Sequence, residues 1–195
     1  MAACEVRTAA DAKPTCGPPI DGYELRMGSQ QQLLVRGPGI ADSAWQDGQE
    51  IHLCDQQGWL ASGDAARIDA TGTLHLLGRL DLAFTSGGET IFIEDIEAQL
   101  LQHPSVSACC VVAIEDSHWG HRAAAWVVGN HHNTELPALL EEWSRSHLSA
   151  AQRPRLWHAA QQLPLLTSGK IDRQAVYRFF TQGHPPLGDD PAIFT

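Results

Sequence analysis

The chain lacks several features that would assign it to a class of protein at once. No apolar run approaches the roughly 20 residues of a membrane-spanning helix, so no membrane span is expected. Met1 is not followed by the apolar segment of a secretory signal, so we expect a cytoplasmic location. Basic residues are few: 13 Lys and Arg stand against 23 Asp and Glu, a net charge of −10. That charge repels nucleic-acid phosphates, so no nucleic-acid partner is expected.

Several reaction signatures are also missing. The sequence has no Gly-x-Ser-x-Gly elbow of a serine hydrolase. Lys170 does not belong to a Walker A loop, because Pro164 stands where Gly is required and Ile171 where Ser or Thr is required. His118 and His121 lie three residues apart with no acidic or thiol neighbour at ligand spacing, so no metal site is predicted.

What is present suits a folded chain. Its 195 residues are 43% hydrophobic and 18% charged, which is enough for one large or two small domains. The five cysteines are an odd number without Cys-x-x-Cys spacing, and we expect reduced thiols. Cys109 and Cys110 stand in an apolar run, which favours inert core residues.

Short segments separated by Gly turns predict a β-rich subdomain over residues 17–80, after an irregular segment at 1–16. Gly28-Ser29 and Gly72 mark two hairpins, and Asp47-Gly48 marks a further turn. The segments flanking the hairpin turns are 23–27 with 32–36, and 65–69 with 73–77. Strands this short predict a small antiparallel, β-barrel-like sheet.

After residue 80 the pattern changes to alternating helices and strands, which predicts a compact α+β domain over 81–182 and a flexible tail at 183–195. Asp172 is predicted to cap the last helix, with Val176, Tyr177 and Phe180 on its apolar stripe. The other predicted helices are 93–102 and 135–148, the latter capped by Thr134. The residues at helical spacing are Ile93, Ile96, Leu100 and Leu101 in the first, and Leu136, Leu139, Leu140, Trp143 and His147 in the second. The predicted strands are 106–114, 123–128 and 155–159.

Two candidate sites lie near the junction of these regions. Asp64 follows Gly63 at a predicted strand end, where a carboxylate can accept hydrogen bonds from a ribose diol; a plain turn Asp is the alternative. Arg79 and Asp81 are two residues apart, and a surface ion pair is their alternative. The composition of residues 78–89 is typical of a hinge or ligand loop rather than a buried strand.

Two further candidates lie in the second half. Gly87 and Gly88 permit positive φ and close approach to a ligand, whereas Ser86 and Glu89 at capping-box spacing offer the alternative of a structural turn before a helix. Lys170, on a Gly-containing loop before a helix, can reach a phosphate as a mobile point charge; a solvated surface lysine is the alternative.

The order of these motifs resembles the C-terminal part of the adenylate-forming superfamily of acyl-CoA synthetases, luciferases and peptide-synthetase adenylation domains. Five motifs match in order over about 140 residues, and the resemblance covers roughly residues 17–181. The matching segments are Val35-Arg36-Gly37-Pro38, Gly58-Trp59 with Gly63-Asp64, Gly78-Arg79, Ser86-Gly87-Gly88-Glu89 and Gly169-Lys170-Ile171-Asp172-Arg173.

The resemblance implies a two-step reaction. A carboxylate first attacks ATP to give an acyl-adenylate and pyrophosphate, and the thiol of CoA then displaces AMP. For the first step it implies that Lys170 stabilises developing charge, that Asp64 holds the ribose hydroxyls and that Arg79 contacts ribose or phosphate. It implies that Asp81 is the pivot about which the C-terminal domain rotates between the steps. Residues 86–89, with Gly87-Gly88 at their centre, would then line the pantetheine channel.

Within the superfamily the chain is most similar to the o-succinylbenzoate–CoA ligases of menaquinone synthesis, at Gly78–Asp81, Phe84–Glu89 and Gly120–Arg122. This implies ATP, CoA and an aromatic carboxylic acid as partners; another aryl- or fatty-acyl-CoA ligase is the alternative. The sequence has neither a phosphate loop ending in Lys nor the Tyr-Gly-x-Thr-Glu motif whose carboxylate would bind Mg²⁺. We therefore expect no acyl-adenylate formation by this chain alone.

The alternative from another class is a non-catalytic module. Such a module would bind nucleotide or pantetheine weakly, and it would self-associate or bind a missing N-terminal half through apolar surface left exposed.

Overall fold

The computed structural model describes residues 15–129 and 135–182, and it divides the chain into two compact units between Leu82 and Ala83. The expectations for residues 1–14, for the Thr134 cap and for the tail at 183–195 lie outside the described residues. Over the two described ranges no helix is both long and apolar enough to cross a membrane. The mixture of antiparallel sheets and helices confirms the α+β class.

The first unit contains a four-stranded antiparallel sheet and a separate two-stranded hairpin. The sheet has the order β1 (Glu24–Met27), β2 (Gln32–Arg36), β5 (Leu60–Ile68), β6 (Leu74–Arg79), and the hairpin consists of β3 (Ser43–Gln46) and β4 (Gln49–His52). Met27 pairs with Leu33 and Ile68 with Leu74, which confirms both predicted hairpins. Leu33, Ala66 and Leu74 form the buried core of the sheet, so one of its faces is apolar.

Two turns of this unit follow directly from their residues. Asp47 and Gly48 have φ values of 50° and 77°, the pair of positive angles that a two-residue type I′ hairpin requires. Gly37, which follows β2, lies against the ring of Tyr23 so closely that a Cβ there would overlap it. The Gly of the Arg36-Gly37 motif therefore permits this packing.

The second unit is a five-stranded mixed sheet with three helices. Its order is β11 (Leu156–Ala160), β10 (Gly120–Gly129), β7 (Ala83–Ser86), β8 (Glu89–Phe92), and β9 (Val106–Asp116) also pairs with β10. The helices are α1 (Ile93–Leu100), α2 (Leu136–His147) and α3 (Arg173–Thr181). β10 and β11 are parallel, while the other pairs are antiparallel. The predicted helices and strands of this half are thus confirmed, with shifted ends.

Three apolar residues assigned to helical stripes are exposed. Leu101 is the first residue after α1 and is 50% exposed, because the helix and its buried stripe end at Leu100. Leu139 is 46% exposed because α2 buries the narrower stripe of Leu136 and Leu140. On α3, Phe179 is buried three residues after Val176, and Tyr177, about 100° around the helix from Val176, is exposed.

The cysteines of the described residues are all free thiols, at positions 16, 54, 109 and 110. Cys109 and Cys110 lie on β9 in the core, as predicted. Burial raises the pKa of the Cys109 thiol to about 12 and that of Cys110 to about 11. Both stay protonated at neutral pH, so neither is a candidate nucleophile.

Candidate functional site

Three of the predicted site residues meet in the first unit. Asp64 on β5 is the register partner of Arg79 at the end of β6, and Asp81 follows in the 3₁₀ turn Leu80–Leu82. The Arg79 guanidinium donates from Nε to Asp81 Oδ1 at 2.9 Å and from Nη2 to Asp81 Oδ2 at 3.2 Å. Its Nη1 lies 3.7 Å from Asp64 Oδ1. One cation is thus held between two carboxylates at the end of the sheet.

Asp64 is not where the sequence placed it. It lies inside β5, not in a turn or at a strand end. Gly63, with φ of 79°, precedes it, and the register of β5 with β6 shifts just after it, between Ala65 and Ala66. Such an irregularity turns a side chain out of the regular alternation, and here the carboxylate meets Arg79.

The cluster is open to solvent. The side chains of Asp64, Arg79 and Asp81 are 30%, 49% and 64% exposed. The bidentate bond from Arg79 lowers the pKa of the Asp81 carboxyl below its ordinary value. The alternative of a surface ion pair therefore describes the Arg79–Asp81 contact, while the Asp64 side chain is partly exposed and only 3.7 Å from its nearest guanidinium nitrogen.

The Gly58-Trp59 motif is held by two arginines. Trp59 is 8% exposed, and the guanidinium carbons of Arg26 and Arg36 stack over its ring at 4.5 Å and 4.6 Å from the centroid. Arg36 also binds Glu24 through both carboxylate oxygens. This packing fixes the chain just before the strand that carries Asp64. Arg26 could not be predicted from the sequence as a partner of Trp59, because no local spacing links a residue on β1 to that ring.

Residues 86–89 form a hairpin turn rather than a capping box. Ser86 at the end of β7 pairs with Glu89 at the start of β8, and Gly87 and Gly88 have φ values of 58° and 86°. The capping-box alternative is wrong because β8 intervenes and α1 begins only at Ile93. The description of residues 78–89 as hinge or loop is also wrong in part, since Phe84 and Ser86 are buried strand residues.

Gly87 is closely packed against the loop before β10. Its N–H donates to the carbonyl oxygen of Trp119 at 3.0 Å, and a Cβ at Gly87 would lie 2.5 Å from the Trp119 ring. A Cβ at Gly88 would meet no atom within 4 Å. The first Gly is therefore required by its neighbour, and the second faces open space.

The Arg122 guanidinium packs over the ring of Trp119. Its guanidinium carbon is 5.3 Å from the centroid of the Trp119 ring, and it donates to the carbonyl oxygen of Ala150 at 3.3 Å. Only 8% of Arg122 is exposed, and burial lowers the pKa of its guanidinium. The segment Gly120–Arg122, where the sequence resembles the o-succinylbenzoate–CoA ligases, is thus linked to the Gly87-Gly88 turn through Trp119.

Lys170 lies at the exposed end of a tight loop. The Leu166 N–H donates to the carbonyl oxygen of Lys170, and the Gly169 N–H donates to the carbonyl oxygen of Leu166, both at 2.8 Å. Leu165 and Ile171 form an isolated β-bridge at the base of the loop. Asp172 Oδ1 then accepts from the N–H of Ala175 at 2.9 Å, which confirms the predicted cap of α3. Lys170 is thus exposed to solvent on a loop whose ends are held together by hydrogen bonds and a β-bridge.

The mixed sheet, its helices and the five ordered motifs define the class of protein: the C-terminal module of an adenylate-forming enzyme. Residues 95–170 match the AMP-binding enzyme C-terminal domain. The chain belongs to the AMP-binding, adenylate-forming superfamily.

Similar proteins of known sequence support this assignment. The chain is 33% identical over 169 residues to the 2-succinylbenzoate–CoA ligase of Escherichia coli, an alignment that covers 86% of this chain and 36% of that protein. It is 31% identical over 188 residues to the medium-chain fatty-acid–CoA ligase of Escherichia coli, covering 93% of this chain and 32% of that one. The chain therefore spans about a third of the length of these relatives.

A solved structure is similar over most of the described chain. It is the o-succinylbenzoate CoA synthetase of Bacillus subtilis in complex with the acyl-adenylate intermediate OSB-AMP. The TM-score is 0.73 at 26% sequence identity, covering 83% of this chain and 35% of that protein.

Proposed function

We propose that the chain is the C-terminal portion of an ATP-dependent acid–CoA ligase. The observation that carries the proposal is the Asp64–Arg79–Asp81 cluster, in which residues of two separate motifs meet with an accessible carboxylate. Similarity to two acid–CoA ligases of different acyl specificity supports the reaction type.

In the first step Asp64 would accept hydrogen bonds from the ribose hydroxyls of ATP or AMP, and Arg79 would contact ribose or phosphate. Lys170, exposed on its loop, would stabilise negative charge on the carboxylate and the α-phosphate as the acyl-adenylate forms. The described residues hold no cluster of three or more His, Cys, Asp and Glu that could hold a metal ion, and no step is assigned to Mg²⁺.

In the second step the Gly87-Gly88 turn would line the path of the pantetheine thiol of CoA. Support comes from Gly88, where the absence of a side chain leaves open space beside an exposed Glu89. The change between the steps would be a rotation at Asp81. Asp81 stands in the 3₁₀ turn that ends the first compact unit, where few residues need to change φ and ψ.

For the acyl substrate we propose o-succinylbenzoate, an aromatic carboxylic acid. The likeness at residues 78–89 and at Gly120–Arg122 supports it, as does the similarity to 2-succinylbenzoate–CoA ligase. The fatty-acid–CoA ligase is nearly as similar, so a fatty acid is the competing substrate. Fusing residues 17–182 behind the N-terminal portion of each Escherichia coli ligase, and assaying both acids with both fusions, tests the choice. CoA thioester from only the fatty-acid fusion would contradict it.

Calorimetric titration of the chain with AMP tests the nucleotide site. We expect weak binding by the wild-type chain that Asp64→Asn abolishes, because the amide replaces one acceptor with a donor. Asp47→Asn, in an exposed hairpin turn of the same unit, is the matched control and should leave binding unchanged. With ATP, CoA and o-succinylbenzoate the chain alone should release no pyrophosphate. Equal AMP affinity in all three proteins would refute the site.

A non-catalytic interaction module is the second candidate. The observation in its favour is Trp45, which is 77% exposed on the β3–β4 hairpin. Absence of AMP and CoA binding, together with self-association that Trp45→Ser abolishes in sedimentation experiments, would favour this module over the ligase.

A further inference from the structure

We propose that Arg173 and Glu97 are a positioning pair that fixes the Lys170 loop to the sheet of the second unit. The inference rests on the proposed role of Lys170 and adds two residues, on α3 and α1, that would not touch substrate. Neither the motif order nor the comparisons assign a role to this pair.

Arg173 and Glu97 form a bidentate ion pair. Arg173 Nη1 donates to Glu97 Oε1 at 2.6 Å, and Nη2 donates to Glu97 Oε2 at 2.9 Å. The side chains are only 29% and 14% exposed. A bidentate Arg–carboxylate pair fixes direction as well as distance, because both partners are planar.

The same pair binds the backbone of β9. The N–H of Val111 donates to Glu97 Oε1 at 2.8 Å, and its carbonyl oxygen accepts from Arg173 Nη1 at 3.0 Å. Both backbone groups of this buried residue are therefore satisfied by the ion pair. The pair thus joins α1, α3 and the longest strand of the sheet at one point.

The link from this point to Lys170 is short and hydrogen-bonded. Arg173 is the first residue of α3, and the side chain of Asp172 caps that helix. The N–H of Asp172 also donates to the carbonyl oxygen of Pro164 at 2.8 Å, just below the Leu165–Ile171 bridge that closes the loop. The direction of the Arg173 side chain therefore sets where the base of the Lys170 loop lies.

Stability alone does not explain an ion pair at this position. Charged groups lose hydration on burial, and apolar residues of similar volume often serve as well or better for stability. The buried Cys110 thiol accepts from Arg173 Nη1 at 3.4 Å, so the pair reaches the core beside β9. An apolar contact would not fix the relative orientation of the Arg173 guanidinium and the Glu97 carboxylate. That fixed orientation is what holds the base of the Lys170 loop in place.

The composition offers a selective probe. The sequence contains two lysines, Lys13 and Lys170, and only Lys170 lies in the described residues. Labelling with ¹⁵N-lysine therefore gives two backbone amide signals. We expect a Lys170 order parameter near the value of about 0.85 typical of rigid backbone, falling below about 0.6 in the double variant Arg173→Met/Glu97→Leu.

Two further variants complete the experiment. Arg178→Met removes another Arg from the same helix and should leave the Lys170 signal unchanged. Arg173→Lys keeps one bond to Glu97 and should give an intermediate order parameter; it also serves if the double variant does not fold. An unchanged Lys170 signal in a variant that has lost the ion pair and remains folded would overturn the proposal, because a merely structural pair would lower the melting temperature alone.

The AMP titration separates this inference from the proposed function. If the wild-type chain binds AMP and both Lys170→Ala and the double variant weaken that binding, both hold. If the wild-type chain binds no AMP but Lys170 still loses order in the variant, the proposed function fails and the positioning pair stands.

Discussion

At the scale of single residues, the two glycines of the Gly87-Gly88 turn differ although both have positive φ. Only Gly87 lies beneath the Trp119 ring. The sequence indicated that both positions permit positive φ, because glycine has no Cβ. It did not indicate Trp119, because the contact depends on the pairing of β7 with β10.

This difference predicts unequal effects of two matched substitutions. Gly88→Ala should destabilise the chain by about 1 kcal/mol, the ordinary cost of a Cβ at positive φ. Gly87→Ala adds a clash with the ring and should cost about 2–4 kcal/mol in the free energy of unfolding. Urea denaturation measures both, and Trp119→Ala should recover part of the Gly87→Ala loss. Equal effects at the two positions would mean that the ring does not constrain the turn.

Asp69 predicts a pH dependence of stability in the first unit. Its carboxylate accepts hydrogen bonds from the hydroxyl and N–H of Thr71 and the N–H of Thr73, and lies 2.8 Å from His75 Nε2. The Thr71 hydroxyl, followed by His75, holds the pKa of Asp69 well below its ordinary value of 3.8. Because the folded-state pKa is the lower one, the contribution is complete above about pH 4 and is lost as the pH falls further.

Urea midpoints measured between pH 7 and pH 2 check the assignment. The wild-type chain should lose stability below about pH 4, and Asp69→Asn should be less stable at pH 7 with a smaller loss on acidification. Parallel curves for the two proteins would show that other carboxylates dominate.

At the scale of elements, α2 separates what apolar spacing predicts from what packing decides. The spacing placed Leu136, Leu139 and Leu140 on one stripe, whereas Leu140 is fully buried and Leu139 is 46% exposed. Apolar periodicity identifies a helix face about 100° wide. Which residues of that face contact the sheet depends on the rotation of the helix about its axis, and this is set by packing against strands distant in sequence.

The two leucines therefore form a matched pair for mutation. Leu140→Ala should reduce the free energy of unfolding by about 2–5 kcal/mol, the cost of a cavity at a buried site. Leu139→Ala should change it by less than about 0.5 kcal/mol. Chemical denaturation monitored by circular dichroism measures both. A larger loss of stability for Leu139→Ala than for Leu140→Ala would show that α2 buries Leu139 rather than Leu140.

How much of the candidate site could be predicted also varies by element. The Asp172 cap and the hairpin turns were predictable because each depends on residues only a few positions apart. The position of Asp64 was not, because the irregular register of β5 and β6 is set by pairing across the sheet. The Arg173–Glu97 pair was not, because a helix N-terminus and a distant helix meet only once the sheet has formed.

At the scale of the whole molecule, the chain consists of two compact units that meet in sequence between Leu82 and Ala83, close to Asp81. The cluster of Asp64, Arg79 and Asp81 belongs to the first unit, and the Gly87-Gly88 turn and Lys170 belong to the second. In the proposed ligase, rotation of the second unit at this junction would exchange Lys170, used for adenylate formation, for the Gly87-Gly88 turn, used for thioester formation.

The most direct measurement of this account separates the two half-reactions. The described chain, fused behind the N-terminal portion of Escherichia coli 2-succinylbenzoate–CoA ligase, would be assayed for pyrophosphate release from ATP and o-succinylbenzoate. Thioester formation from preformed acyl-adenylate and CoA would be assayed separately. Lys170→Ala should slow the first reaction by about 100- to 1,000-fold, the usual effect of removing a group that stabilises developing charge, and leave the second within about twofold. Equal losses in both half-reactions, or an unchanged first step, would contradict the account.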